Sequence, residues 1–205
     1  MCSSLSMHQH KIVYAFDFDG TLTTKDTLLE FIRYSKGTWR FLFGFALFAI
    51  QILLMKLHIL KNWAVKQRLF AWYFKGMSIE EFNRLCNDFA KDKSNLLRPK
   101  GVECVKQAIA DGADVVIISA SVEHWVRPFF EGLPVKVVGT QVEVLQGALT
   151  GNFASANCYG REKVIRLLEL YPNRKDYRLV SYGDSRGDRE LLAFADKCYY
   201  RPFRK

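Results

Sequence analysis

The chain switches between two textures, and that switch limits the folds open to it more than any other feature. Outside a boundary near Thr24 and another near Arg98, short, continuously apolar runs alternate with helical segments. The runs are KIVYAFDF at 11–18, DVVIIS at 114–119, VKVVGT at 135–140 and YRLVSYGD at 177–184. The helical segments are Pro99 to Ala110, KVIRLLEL at 163–170 and RELLAFA at 189–195. A strand that is apolar on both faces needs cover on both, which a parallel sheet between helical layers supplies. The segment QVEVLQGALTGNF at 141–153 alternates instead around Gly147 and is expected to form a hairpin at the sheet edge. Between the two boundaries the texture is helical. Thr27 with Glu30, and Ser78 with Glu81, each fit a capping box, in which a hydroxyl and a carboxylate satisfy free amides at a helix start. The expected fold is therefore α/β, a Rossmann-like parallel-sheet core from residues 11–24 and 98–205 with an α-helical insertion at 25–97.

A length of 205 residues and 49% hydrophobic content suit a core plus such an insertion and exclude a disordered or collagen-like chain. The five cysteines are scattered and odd in number, with no C-x-x-C spacing, so neither a disulfide framework nor a zinc site is signalled and a reducing compartment is expected. The first ten residues, MCSSLSMHQH, have no apolar core of a signal peptide, so secretion is not expected. The net charge of +9 is unevenly spread. Residues 31–79 hold Arg33, Lys36, Arg40, Lys56, Lys61, Lys66, Arg68 and Lys75 and no acidic residue, leaving +1 for the rest of the chain.

Sites in open parallel sheets lie beyond the carboxyl ends of the strands. Four acids fall there: Asp17 and Asp19 at the end of the first run, Asp184 and Asp188 after the run at 177–184. Alternation in an extended chain puts Asp17 and Asp19 on one side, and Gly20 frees the backbone to turn. Carboxylates converging without histidine or thiolate make a hard-oxygen site suited to Mg²⁺.

The run Asp17-Phe18-Asp19-Gly20-Thr21-Leu22-Thr23 resembles the first motif of the haloacid dehalogenase (HAD) superfamily, most of whose members are phosphatases. Ser119 at the end of an apolar strand, Lys163 opening a helix after Gly160, and YGDSRGD with Asp184 and Asp188 resemble the remaining motifs in order. The resemblance implies an HAD-like core with a helical C1 cap and a phosphomonoester substrate. It makes Asp17 the nucleophile that forms an aspartyl-phosphate and Asp19 the general acid and base. Mg²⁺ would be held by the Asp17 carboxylate, the Asp19 backbone carbonyl and Asp184. Ser119 and Lys163 would bind phosphoryl oxygens, with a helix N-cap and a solvated lysine as their plainer roles. Asp188 would hold a metal-bound water, orient Lys163 or favour a helix start. Gly20, Thr21 and Ala120 are further candidates for substrate contact.

An all-helical C1 cap resembles the phosphoserine phosphatase-like branch, in which an acidic residue placed as Asp26 is here meets the substrate amine; Asp26 also suits a helix start. Ser119-Ala120-Ser121 and YGDSRGD depart from that branch's Ser-Gly-Gly and VGDGAND. The insertion carries 12 of the 29 aromatic residues, and Phe41 to Met55 is apolar except for Gln51. As one helix it would span ~22 Å, short of a ~30 Å hydrocarbon core. A single crossing would also separate Asp17 from Ser119, Lys163 and Asp184. A buried cap helix and an interfacial helix with basic flanks toward anionic headgroups both remain open. The whole layout is similar to the phosphatidylglycerophosphatase C type of HAD enzyme, which implies an anionic phospholipid monoester and a cytoplasmic protein peripheral to the inner membrane face. A soluble phosphomonoester such as phosphoserine, and a non-catalytic membrane or nucleic-acid binding protein, are the alternatives; an acid-free patch above an acidic site makes nucleic acid the weaker partner. His124, Trp125 and Arg127 are expected to pack or solvate a helix that Pro128 interrupts, and the terminal RPFRK to be a solvated tail.

Overall fold

A computed structural model describes residues 11–57 and 59–204; the reading of the first ten residues lies outside them. The chain enters through strand β1 (Lys11–Phe16) and runs through helices α1 (Thr27–Leu47), α2 (Ala49–Lys56), α3 (Asn62–Phe74) and α4 (Ile79–Asp92). Then come α5 (Pro99–Ala110), β2 (Asp114–Val122), the short α6 (Glu123–Val126) and β3 (Val135–Thr140). The hairpin strands β4 (Val142–Leu145) and β5 (Ala148–Phe153) lead to α7 (Arg161–Leu170), β6 (Tyr177–Gly183), α8 (Arg189–Phe194) and β7 (Lys197–Tyr200).

The main sheet has the order β3-β2-β1-β6-β7, and every pairing in it is parallel. β1 is central, with Phe16 opposite Ile117 on one side and Tyr182 on the other, so the carboxyl ends of β1, β2 and β6 lie together. Alternate residues feed opposite cores, as the two-residue period of a strand requires. Val13, Ala15, Val116, Ile118 and Leu179 pack with Leu167 of α7 and Leu191 of α8. Phe16, Ile117, Val180 and Tyr182 belong to a cluster that continues without a break into Phe31, Phe70, Phe74, Phe82 and Phe89 of the insertion.

Four expectations are corrected. The hairpin is a separate two-stranded sheet, not a sheet edge; the edges are β3 and β7, the latter not foreseen. It packs on α3 through Phe70 and Phe153, and its backbone takes the amides of Gly76, in the loop before α4, and of Ile79, which opens α4. At the start of α1 the cap is the Asp26 carboxylate, which accepts from the Leu28 and Leu29 amides at 3.0 and 3.3 Å, because Thr27 is drawn elsewhere; Ser78 does cap α4 through the Glu81 amide. The apolar run 41–55 is not one helix. α1 and α2 meet at Phe48 with a 62° bend, and α2 buries none of its residues, so a buried cap helix is excluded. The C-terminal residues are not a free tail: Phe203 stacks on Tyr182 and Arg201 donates to the Asp184 carbonyl.

Candidate active site

The loop after β1 makes a wide turn over Phe18–Leu22 in which Gly20 has φ of 79°. A Cβ on Gly20 would stand 2.6 Å from Asp184 Oδ2, so only glycine lets this loop lie against β6. The result is a cavity of about 310 Å³ lined by Asp17, Asp19, Gly20, Asp26, Lys66, Ala120, Tyr159, Lys163 and Asp184, among others. Of the residues singled out from the sequence as site candidates, Thr21, Ser119 and Asp188 do not line it. Thr21 stands behind, its hydroxyl donating to Asp17 Oδ2 at 3.0 Å with Asp184 Oδ1 3.4 Å away. Ser119 lies within β2, accepts from the Ser121 amide and turns toward Asp19, and neither serine caps α6.

Lys163, in the first turn of α7, is fully buried. Its ammonium reaches Asp17 Oδ1 at 2.5 Å and Asp188 Oδ1 at 2.6 Å, so the solvated-lysine role does not hold. The second Asp188 oxygen accepts from the Asp184 and Ser185 amides and the Ser185 hydroxyl. With both oxygens occupied, Asp188 orients Lys163 and closes the turn before α8. Burial pushes the Asp17 carboxyl up to about 7 against the pull of Lys163. Burial also raises Asp184, while Asp188, though buried, is held below its ordinary value by Lys163 and the Ser185 donors. The Lys163 ammonium is held above its ordinary value: burial opposes its charge, but Asp17 and Asp188 outweigh that.

Carboxylate oxygens of Asp17, Asp184 and Asp188 come within 4.8 Å of one another. One buried ammonium and the partly exposed Arg204 leave the three buried carboxylates a charge short, and the donors are hard oxygens, so a divalent cation such as Mg²⁺ fits this cluster. Asp188 already meets Lys163 and three further donors, against two contacts each for Asp17 and Asp184, so the latter two are the side chains better placed to hold it. The Asp19 carboxylate is turned away toward Thr27 and Ser121, leaving its backbone carbonyl as its only contribution to such a site.

Four participants were not assigned to the site from the sequence. Arg204 forms an ion pair with Asp184, Lys66 of α3 faces the cavity beside Asp26, and Thr27 with Ser121 grips Asp19. Asp26, a helix cap, also lines the cavity, and burial followed by the nearby Asp19 raises its carboxyl. Trp125 is buried in the core, not at the substrate.

Comparison with known proteins agrees with this fold. The family model for haloacid dehalogenase-like hydrolases matches residues 14–193. Protein CicA of Caulobacter vibrioides is 35% identical over 202 residues, 97% of this chain and 89% of its own length. A crystal structure of a protein of unknown function from Bordetella pertussis Tohama I superimposes with a TM-score of 0.81 at 18% identity, over 92% of this chain and 88% of that one. A substrate-bound phosphoserine phosphatase gives a TM-score of 0.63 at 17% identity, over 93% and 85%.

Proposed function

The chain belongs to the haloacid dehalogenase-like hydrolase family, and on that premise we propose that it is a Mg²⁺-dependent phosphomonoesterase working through an aspartyl-phosphate. The observation that carries the reading is the buried Lys163 ammonium joining Asp17 to Asp188 beside Asp184, with Asp19 on the same cavity. Asp17 Oδ1 is held by the Lys163 ammonium and Oδ2 only by the neutral Thr21 hydroxyl, so Oδ2 is the oxygen that attacks phosphorus in line with the departing ester oxygen. Two of the three Lys163 N–H donors are spent on carboxylates, and the third is available to a phosphoryl oxygen. Asp19 protonates the departing alcohol and then takes a proton from the water that opens the acyl-phosphate. A bound Mg²⁺, held by Asp17 and Asp184, supplies positive charge that lets an anionic nucleophile approach an anionic phosphate.

For the substrate, an anionic phospholipid monoester such as phosphatidylglycerophosphate is favoured, with the protein peripheral to an anionic membrane on the cytoplasmic side. Trp39, Phe43, Leu47, Ile50 and Leu53 are all more than half exposed on the bent α1–α2 pair, next to Arg40 and Lys56. No single helix among the described residues is long and apolar enough to cross a membrane; α1 and α2 meet the length and composition only as a bent pair. A large apolar patch rimmed by cations is the surface that an interface with acidic lipid rewards. The opposite charges of Asp26 and Lys66 at the cavity favour a second reading, a zwitterionic soluble ester such as phosphoserine.

The test is hydrolysis of lipid and soluble monoesters with Mg²⁺, with and without anionic vesicles. Asp17→Asn should abolish all turnover; retained activity would refute the mechanism. Trp39→Ser with Phe43→Ser should weaken vesicle binding at least about tenfold, since each large apolar side chain withdrawn from water contributes about 1.5–3 kcal/mol. Unchanged binding, or equal turnover of lipid in vesicles and in detergent, would refute the membrane reading.

A further inference from the structure

Asp19 accepts from more donors than any other carboxylate lining the cavity among the described residues, and they come from two different elements. Its Oδ1 accepts from the Thr27 amide at 2.7 Å and the Thr27 hydroxyl at 2.6 Å. Its Oδ2 accepts from the Ser121 hydroxyl at 2.5 Å, with the Ser119 hydroxyl at 3.4 Å. Behind Thr27 stands Trp125, whose indole Nε1 donates to the Thr27 hydroxyl oxygen at 3.2 Å and whose ring stacks on Phe31, one turn further along α1, at 5.0 Å. Trp125, Thr27 and Ser121 are all buried, so water does not compete for these bonds.

Counting protons orders the network. An indole N–H can only donate, so the Thr27 oxygen accepts from Trp125 and its one hydrogen is directed elsewhere, to Asp19 Oδ1. A backbone amide likewise never accepts. A proton placed on Oδ1 would therefore confront two donors. Oδ2 faces only hydroxyls, which rotate and accept as readily as they donate.

Resting on the general-acid reading of Asp19, we propose that Ser121 and Trp125 are positioning residues that place the transferable proton on Asp19 Oδ2, Ser121 directly and Trp125 through Thr27. In the forward step the bond from phosphorus to the ester oxygen breaks as Asp17 takes the phosphoryl group. The Oδ2 proton passes to that oxygen, and Asp19 is left as a carboxylate that all four donors then stabilise. The same clamp joins the acid to the first turn of α1, so the insertion and the catalytic acid keep one alignment.

Leaving-group dependence tests this. An alkyl monoester such as glycerol phosphate needs a proton on its departing oxygen; a nitrophenyl ester does not. Ser121→Ala, Thr27→Val and Trp125→Phe should each lower the alkyl-to-nitrophenyl kcat ratio by about tenfold, part of the roughly 10²- to 10⁴-fold that a placed acid is typically worth. Ser121→Thr, which keeps the hydroxyl, should retain the ratio. Equal losses on both esters, in variants whose melting temperature is kept, would overturn the proposal. Asp19→Asn separates the two layers: if it too shows no leaving-group dependence, the acid assignment itself fails, whereas dependence in Asp19→Asn alone refutes only the clamp.

Discussion

Replacing Lys163 by Met removes the one cation from between Asp17 and Asp188 while keeping the volume of the side chain. Both carboxylates are buried, Asp188 wholly and Asp17 to 5% exposure, so neither gains water in exchange. Breaking a buried pair by deleting one partner costs about 3–5 kcal/mol, because the charge left behind is uncompensated. In a chain of this size each kcal/mol moves Tm by about 2–4 °C, so the midpoint should fall by roughly 6–20 °C. The loss also has a pH signature. Without the ammonium, the folded-state value of Asp17 rises further above its unfolded value of about 3.9, and Asp188 loses the partner that holds it below that value, so burial drives it upward too. A raised acid is stabilised by protonation, so the deficit is full at high pH and recedes as pH falls through the raised values toward that unfolded one. Scanning calorimetry at pH 8 and pH 5 should find the larger deficit at pH 8, and Asp188→Asn added to Lys163→Met should recover much of it. A fall under about 3 °C at pH 8, or a deficit equal at both pH values, would refute the reasoning that Lys163 balances buried charge.

A divalent cation held by Asp184 would compete there with Arg204, and the arginine is partly exposed. An exposed pair contributes at most about 1 kcal/mol, so Arg204→Ala should tighten Mg²⁺ binding by up to about fivefold in titration calorimetry without substrate, and unchanged affinity would refute the competition. His124 packs against Phe82 with its buried Nδ1 lacking a hydrogen-bond partner, and burial lowers its folded value, with Glu123 and Arg127 acting in opposite senses. The unfolded chain then binds the extra proton, so stability is complete above the ordinary histidine value of about 6.5 and declines as pH falls below it. His124→Asn should flatten that decline in urea titrations between pH 7 and pH 5; an unaltered slope would refute it.

The alternation of apolar strands with amphipathic helices, and the acids at the ends of the first and sixth strands, were legible in the sequence because both are local. A strand's two-residue period and a motif of seven residues need no knowledge of the rest of the chain. From them follow the parallel sheet, the place of Asp17, Asp19 and Asp184, and the hard-oxygen character of their site; Lys163 came only with the resemblance to the HAD motifs. What touches those residues was not legible. Thr27 looks like a helix cap when read locally, yet its amide and hydroxyl go to Asp19, and Asp26 takes over the cap. Ser121 and Trp125 reach the same carboxylate's network from about 100 positions away, Arg204 reaches Asp184 across the carboxyl ends of the sheet, and the hairpin leaves the sheet edge to cover α3. The exposure of α1 and α2 is of the same kind. Composition makes a segment apolar, but only the folded chain decides whether anything is left to cover it. Periodicity reports the shape a segment prefers; burial and pairing depend on which distant groups arrive beside it, and that is settled only when the layers pack.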